Sequence, residues 1–99
     1  MARVTGGRQV GRRFVVRGMV QGVGFRWFVR DTAKRLGLSG WVANQVDGSV
    51  SGEARGQEAA IGGFLTELAS GPRLARVESL EVSEFEPAGE HEPEFEIRS

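Results

Sequence analysis

The residues with the clearest chemical meaning lie in one short segment, residues 18–26, which reads GMVQGVGFR. Apolar residues on both faces predict a strand over residues 13–20, and apolar residues spaced three and four apart predict a helix over residues 25–36. A glycine-rich turn between a strand and a helix directs backbone N–H groups into its own hollow, and the helix dipole adds positive potential there. The segment therefore predicts a cradle for a phosphate-like anion.

Arg26 adds to this prediction because of where it stands. A cation in the first turn of a helix meets the positive end of the dipole, which disfavours it by about 0.3–1 kcal/mol. No acidic residue between residues 13 and 30 offsets that cost. A bound phosphate would reverse it, and the planar guanidinium fits two phosphate oxygens. The plainer interpretation is a ligand-free turn followed by a solvated stripe of Arg26, Arg30 and Lys34, and spacing alone leaves both open.

The residues that are absent limit the mechanism. The chain has no cysteine, and its one histidine, His91, lies in a polar C-terminal stretch. Cysteine nucleophiles, disulfides and multi-histidine or cysteine-ligated metal sites are therefore excluded. The loop has no carboxylate for a metal, no Walker lysine, and Trp27 where a dinucleotide motif needs glycine. Backbone amides, one arginine and neutral side-chain amides can stabilise charge and orient a water, which suits a substrate with a good leaving group.

The elements that must position this segment follow the order β-α-β-β-α-β, with a short last strand. The Asp47-Gly48 pair predicts a hairpin turn, and Val77, out of phase with its strand, predicts a bulge. An α+β fold with an antiparallel sheet and two helices on one face closes this order. Right-handed crossover makes the first two strands parallel, so the glycine-rich loop and Asn44 share one end of the sheet. The predicted strands are 13–20, 40–46, 49–55, 75–85 and 94–98, and the helices 25–36 and 57–69.

The zero net charge hides an uneven distribution. Residues 1–35 hold nine basic residues and one acidic residue, whereas residues 76–99 hold two and eight. We predict a mobile basic arm over residues 1–12 and a single domain over residues 13–99. The glutamate-rich last strand suits a sheet edge and favours a monomer. The lack of an apolar membrane span or signal core predicts a cytoplasmic protein without a membrane partner.

Four segments together resemble the acylphosphatase family: VRGMVQGVGFR at residues 16–26, LGLSGWVANQVDGSV at 36–50, GPRLARVESLEV at 71–82 and EFEIR at 94–98. The resemblance implies a ferredoxin-like α/β sandwich. It also implies hydrolysis of the carboxyl–phosphate bond of small acyl phosphates to a carboxylate and inorganic phosphate, with no metal and no organic cofactor. Acetyl phosphate, carbamoyl phosphate and 1,3-bisphosphoglycerate all fit the family.

The resemblance also assigns roles to residues. Arg26 matches the catalytic arginine that binds the phosphate, and Asn44 matches the asparagine that holds the attacking water for in-line attack. The loop that would cradle the phosphate, or another anion, matches Val20, Gln21, Gly22, Val23, Gly24 and Phe25, together with Arg26. An asparagine amide is too weak a base to deprotonate water, so we hypothesise that phosphate oxygens of the substrate take the proton. A loose transition state needs positioning more than base strength.

Two alternatives remain beside this interpretation. Folds of this class also bind nucleic acids, and fold alone does not decide function. RNA-binding sheets display aromatic residues for base stacking, but the open face of strand 49–55 carries Ser49, Ser51, Glu53 and Arg55, so we expect no nucleic-acid partner. The second alternative is an acylphosphatase-like domain cut from a larger maturation enzyme that handles carbamoyl phosphate.

Overall fold

The computed structural model describes residues 8–88 and 94–98, and its elements follow the predicted order. Their bounds are β1 Gln9–Met19, α1 Phe25–Arg35, β2 Ser39–Asn44, β3 Val50–Gln57, α2 Glu58–Ser70, β4 Arg76–Phe85 and β5 Phe95–Arg98. Residues 9–12, which the sequence predicted as part of the arm, extend β1 instead, and Val10 is buried in the core. That part of the arm prediction is therefore wrong. Residues 1–7 and 89–93, with His91, lie outside the described residues.

The five strands form one mixed sheet in the order β4-β1-β3-β2-β5. β5 pairs parallel with β2, whereas the other three neighbouring pairs are antiparallel. The prediction of an antiparallel sheet is therefore wrong at this last pair. The direction of β4 explains the result: its last residue, Phe85, pairs with Gly11 near the start of β1, at the end of the sheet where β2 also begins. A chain that returns from there enters β5 in the same direction as β2.

The core lies between one face of the sheet and the two helices. The apolar residues of this face are buried in β1, β2 and β3, whereas Val77 and Leu80 of β4 are partly buried. Phe64 of α2 packs edge-on against Phe14 with ring centroids 5.5 Å apart. α1 covers β2 and β5, whereas α2 covers β1, β3 and β4. Neither helix, within residues 8–88 and 94–98, has the length and apolar character to span a membrane. The largest side chains that are fully buried are Phe14, Phe25, Phe64, Leu38, Leu68, Val16, Val20, Val29, Val42 and Val50.

The predicted bulge is present in the pairing of β1 with β4. Arg17 pairs with Ser79, but the next residue of β1, Gly18, pairs with Val77. Glu78 is therefore an extra residue in β4, and it shifts the strand by one position. This shift explains why Val77 lies out of phase with Leu80 in the sequence, although both side chains pack against the core.

Candidate active site

The glycine-rich loop follows the C-terminal end of β1 and leads directly into α1. Gly22 and Gly24 have φ angles of +76° and +77°, in the left-handed region that favours glycine. Gly24 is the N-cap of α1, and no side chain caps the helix there. The first N–H groups of an α-helix have no partner within the helix. Val20 and Phe25 are buried in the core at the two ends of the loop, so these two residues offer only backbone groups to an anion.

Arg26 lies half-buried in the first turn of α1, and that turn contains no acidic residue. Among residues 8–88 and 94–98, no carboxylate forms an ion pair with Arg26. Arg30, one turn further along the predicted stripe, contacts Asp31 at 3.3 Å and stacks over the ring of Trp27 at 4.3 Å. Within these ranges the positive charge of Arg26 is therefore not neutralised by a carboxylate, whereas Arg30 is engaged by Asp31 and Trp27.

Asn44 is the last residue of β2 and faces the same side of the sheet as the core. It pairs with Val50 of β3, and Val50 pairs in turn with Val16 of β1, so these three residues form one row across the sheet. Val16 and Val50 are fully buried under the helices. The Oδ1 atom of Asn44 is buried, and no group in the described part of the chain donates a hydrogen bond to it. Since buried polar atoms are nearly always satisfied, this oxygen is available to a water or to a substrate.

A contact that the sequence analysis did not foresee joins the loop to the neighbourhood of Asn44. The Nε2 atom of Gln21 donates to the carbonyl oxygen of Gln45 at 2.8 Å and to that of Ser49 at 2.9 Å. Gln45 follows Asn44 directly. The prediction that the loop and Asn44 share one end of the sheet is thereby confirmed. The sequence gives no sign of this link, because both acceptors are backbone carbonyls.

Other possible sites lie away from this end of the sheet. One surface cleft lies between the start of β1 and the end of β4, and a second lies between the end of α1 and the start of α2. Neither cleft is lined by the loop, Arg26 or Asn44. Across the described ranges, no cluster of histidine, aspartate and glutamate side chains has the arrangement of a metal site. Neither cleft contains a helix N-terminus next to a glycine-rich loop, which is the arrangement that binds anions, so the loop remains the candidate.

Comparison with known proteins identifies the family. The family model named Acylphosphatase matches residues 12–97. An acylphosphatase from Anaeromyxobacter dehalogenans is 46% identical over 90 residues, which cover 91% of this chain and 96% of the relative. This chain belongs to the acylphosphatase family. The crystal structure of the acylphosphatase from Bacillus subtilis has a TM-score of 0.85 and 37% identity, and the match covers 91% of this chain and 99% of that one.

These matches confirm the acylphosphatase resemblance and the ferredoxin-like fold, and they do not favour a nucleic-acid-binding module. The chain is also similar to part of full-length HypF, whose crystal structure is in a phosphate- and nucleotide-bound form. That match has a TM-score of 0.82 and 31% identity, and it covers 93% of this chain but 12% of HypF. The acylphosphatase fold therefore occurs both in small proteins of this length and as one part of a much longer chain.

A group of polar residues fixes the hairpin turn next to the candidate site. The Oδ1 atom of Asp47 accepts hydrogen bonds from the backbone N–H of Ser49 at 2.9 Å and from its hydroxyl at 2.6 Å. The Oδ2 atom accepts from Arg17 at 3.1 Å, and Arg17 also donates to Glu81 of β4 at 3.2 Å. The hydrogen bonds from Ser49, followed by that from Arg17, lower the pKa of Asp47 from 3.8 to about 2. The turn is thereby held to β1 and β4.

We expect the stability of this acylphosphatase to depend on Asp47 in an acidic window. Because folding lowers the pKa of Asp47 from 3.8 to about 2, its contribution is present above the higher value and is lost as the pH falls toward the lower one. Asp47→Asn should therefore lower the melting temperature at about pH 6, and the difference from wild type should shrink as the pH falls from about 4 through about 2. Thermal unfolding monitored by circular dichroism measures the melting temperatures at both pH values, about 6 and about 2.

A matched control is Glu78→Gln, which neutralises an exposed carboxylate of the β4 bulge rather than that of the turn. It should leave the melting temperature at neutral pH close to that of wild type. An Asp47→Asn variant that is equally destabilised at both pH values would show that the charge of Asp47 does not act through this network.

Proposed function

We propose that this acylphosphatase hydrolyses the carboxyl–phosphate bond of small acyl phosphates at the end of the sheet formed by the loop of residues 20–24, Arg26 and Asn44. The observation that carries the assignment is the link from Gln21 to the carbonyl next to Asn44, since it joins a loop suited to an anion with a strand end suited to a water. Hydrolysis of benzoyl phosphate by the wild-type chain and by Arg26→Ala is the test.

In the proposed complex, the phosphate or another anion lies over the N-terminus of α1. Backbone N–H groups of residues 20–25 donate to its oxygens, and the helix dipole stabilises the negative charge. Arg26 adds a positive charge and two parallel donors that fit two phosphate oxygens. The left-handed Gly22 and Gly24 support this arrangement, because they let the backbone curve around the anion without side chains in the way.

Asn44 is proposed to hold the attacking water. Its Oδ1 accepts a hydrogen bond from the water, which leaves a lone pair of the water oxygen directed at the phosphorus. The water oxygen forms a bond to phosphorus as the bond to the acyl oxygen breaks, and the acyl group leaves as a carboxylate with the bonding electrons. One proton of the water passes to a phosphate oxygen, and the other stays on the oxygen that is now bonded to phosphorus. No strong base is required, because a carboxylate is a good leaving group and Arg26 stabilises the charge on the phosphoryl oxygens.

We expect the activity to survive removal of divalent metal ions. The proposed donors are backbone amides, a guanidinium and an asparagine amide, and residues 20–26 contain no carboxylate or histidine to hold a cation. Benzoyl phosphate hydrolysis should therefore be unchanged within about twofold after dialysis against EDTA, since no step depends on a Lewis acid. Activity that disappears with EDTA and returns with Mg²⁺ would overturn the assignment of the phosphate to Arg26 and the loop alone.

We further propose that the enzyme is a monomer and that it works in the cytoplasm. Glutamates stand on both outer strands of the sheet, with Glu78, Glu81 and Glu84 on β4 and Glu96 on β5. Charged side chains on edge strands discourage pairing with a second chain. The proposed cytoplasmic location rests on the sequence, which contains no cysteine to form disulfides.

A further inference from the structure

The side chain of Gln21 leaves the loop and becomes part of the hairpin between β2 and β3. Its two acceptors, the carbonyl oxygens of Gln45 and Ser49, are also the ones that close this hairpin. The carbonyl of Gln45 accepts from the N–H of Gly48 at 3.1 Å, and that of Ser49 accepts from the N–H of Gln45 at 2.8 Å. The Gln21 carboxamide therefore adds a further bridge across the end of the hairpin.

The chemistry of the acceptors determines the orientation of the Gln21 amide. A carbonyl oxygen only accepts, so the group that faces two carbonyls must be the NH₂ of the carboxamide. That group has two hydrogens, and the two distances of 2.8 and 2.9 Å match one hydrogen bond for each. An oxygen in the same place would meet two acceptors and would be repelled.

The position of the loop relative to Asn44 matters for the reaction. The loop and Arg26 are continuous in the chain, so both belong to the proposed phosphate-binding half of the site. Asn44 belongs to β2, and β3 lies between β2 and β1. The pairing of both strands with β3 and the packing of α1 on β2 hold the two halves near each other, and the contact of Gln21 with the residue after Asn44 joins the loop itself to the end of β2.

We propose that Gln21 is a positioning residue for hydrolysis, in addition to the backbone contact that its N–H makes with the phosphate. Its carboxamide holds the phosphate loop against the hairpin, so that the water on Asn44 lies in line with the phosphorus and the leaving oxygen. This inference rests on the proposed roles of Arg26 and Asn44. It predicts that loss of the side-chain amide impairs the chemical step while phosphate binding survives.

Gln21→Met tests the role with a side chain of similar length and no hydrogen-bond donor. We expect kcat for benzoyl phosphate to fall by about tenfold to a hundredfold, because small misplacements of reacting groups cost rates of this order. The inhibition constant of inorganic phosphate should stay within about twofold of wild type, since the backbone cradle and Arg26 remain. Gln57→Met is the matched control, because Gln57 is an exposed glutamine at the other end of β3.

The pH dependence of kcat in Gln21→Glu tests whether the side-chain hydrogen bonds, rather than the bulk of the side chain, support the reaction. At neutral pH its carboxylate would face two carbonyl oxygens, so kcat should fall below that of Gln21→Met. As the pH falls, the carboxyl group gains a proton and can donate one hydrogen bond. The kcat of Gln21→Glu relative to wild type should therefore rise toward acidic pH, whereas that of Gln57→Glu should stay constant.

A double-mutant cycle with Asn44→Ala separates this inference from the proposed function. If Gln21 acts through the water on Asn44, then Gln21→Met should reduce kcat much less in the Asn44→Ala background than in wild type. Unchanged kcat in Gln21→Met, an equal loss of phosphate affinity, or fully multiplicative effects in the double mutant would each overturn the positioning role. Full activity in Asn44→Ala would instead overturn the proposed function itself.

Discussion

Arg26→Ala should remove nearly all hydrolysis of benzoyl phosphate. We expect kcat to fall by at least about a thousandfold, the lower end of what arginines contribute when they stabilise a phosphoryl transition state. Affinity for inorganic phosphate should also fall, because the guanidinium contributes charge to the bound anion as well as to the transition state. Steady-state kinetics with benzoyl phosphate, and competitive inhibition by phosphate, measure the two effects separately.

Two further variants show whether the shape of the Arg26 side chain matters as well as its charge. Arg26→Lys keeps the positive charge but loses the planar pair of donors, so most of the activity should still be lost. Arg30→Ala removes an arginine one turn further along the same helix, where Asp31 and Trp27 already engage it, and should keep kcat within about twofold. Equal losses of kcat in Arg26→Ala and Arg30→Ala would indicate that the overall positive charge of the helix matters rather than a contact between Arg26 and the phosphate.

Asn44→Ala should separate turnover from binding. The variant removes the amide that holds the water and leaves the loop and Arg26 intact, so kcat should fall by about a hundredfold to a thousandfold, as for the loss of a group that positions a reactant. The inhibition constant of inorganic phosphate should change by no more than about threefold, because phosphate contacts the other half of the site. The measurement is again hydrolysis of benzoyl phosphate with phosphate as the competitor.

The control for Asn44→Ala is Gln57→Ala, which truncates another carboxamide at the opposite end of the sheet. It should leave kcat and the inhibition constant of inorganic phosphate close to those of wild type. If Asn44→Ala kept most of the activity, the water would have to be held by another group. A large loss of phosphate affinity would show instead that Asn44 contacts the substrate.

Much of the site could be predicted from the sequence because its determinants are local. The loop follows from Gly22 and Gly24 between a strand and a helix, and Arg26 is notable because a cation in a first helical turn is locally unfavourable. The crossover rule then places Asn44 at the same end of the sheet. Each of these inferences uses residues that are close together in the chain or a rule that constrains how strands connect.

The features that were missed depend on contacts between distant parts of the chain. The direction of β5 depends on where β4 ends. No pattern within residues 94–98 indicates that position. The early start of β1 depends on pairing with Gln57 and its neighbours, since Gly11 and Arg12 interrupt the apolar pattern before residue 13. The contacts of Gln21 depend on two carbonyls of a hairpin more than 20 residues away.

The row that Val16, Val50 and Asn44 form across the sheet has a consequence for folding. Arg26 and its loop follow β1, whereas Asn44 ends β2, and β3 pairs with both strands. A chain with α1 formed but β3 not yet inserted would have the anion cradle without the aligned water. We therefore expect hydrolysis to recover after dilution from denaturant only once the central three strands are complete, and the helical signal to recover earlier, because contacts that are local in sequence form faster.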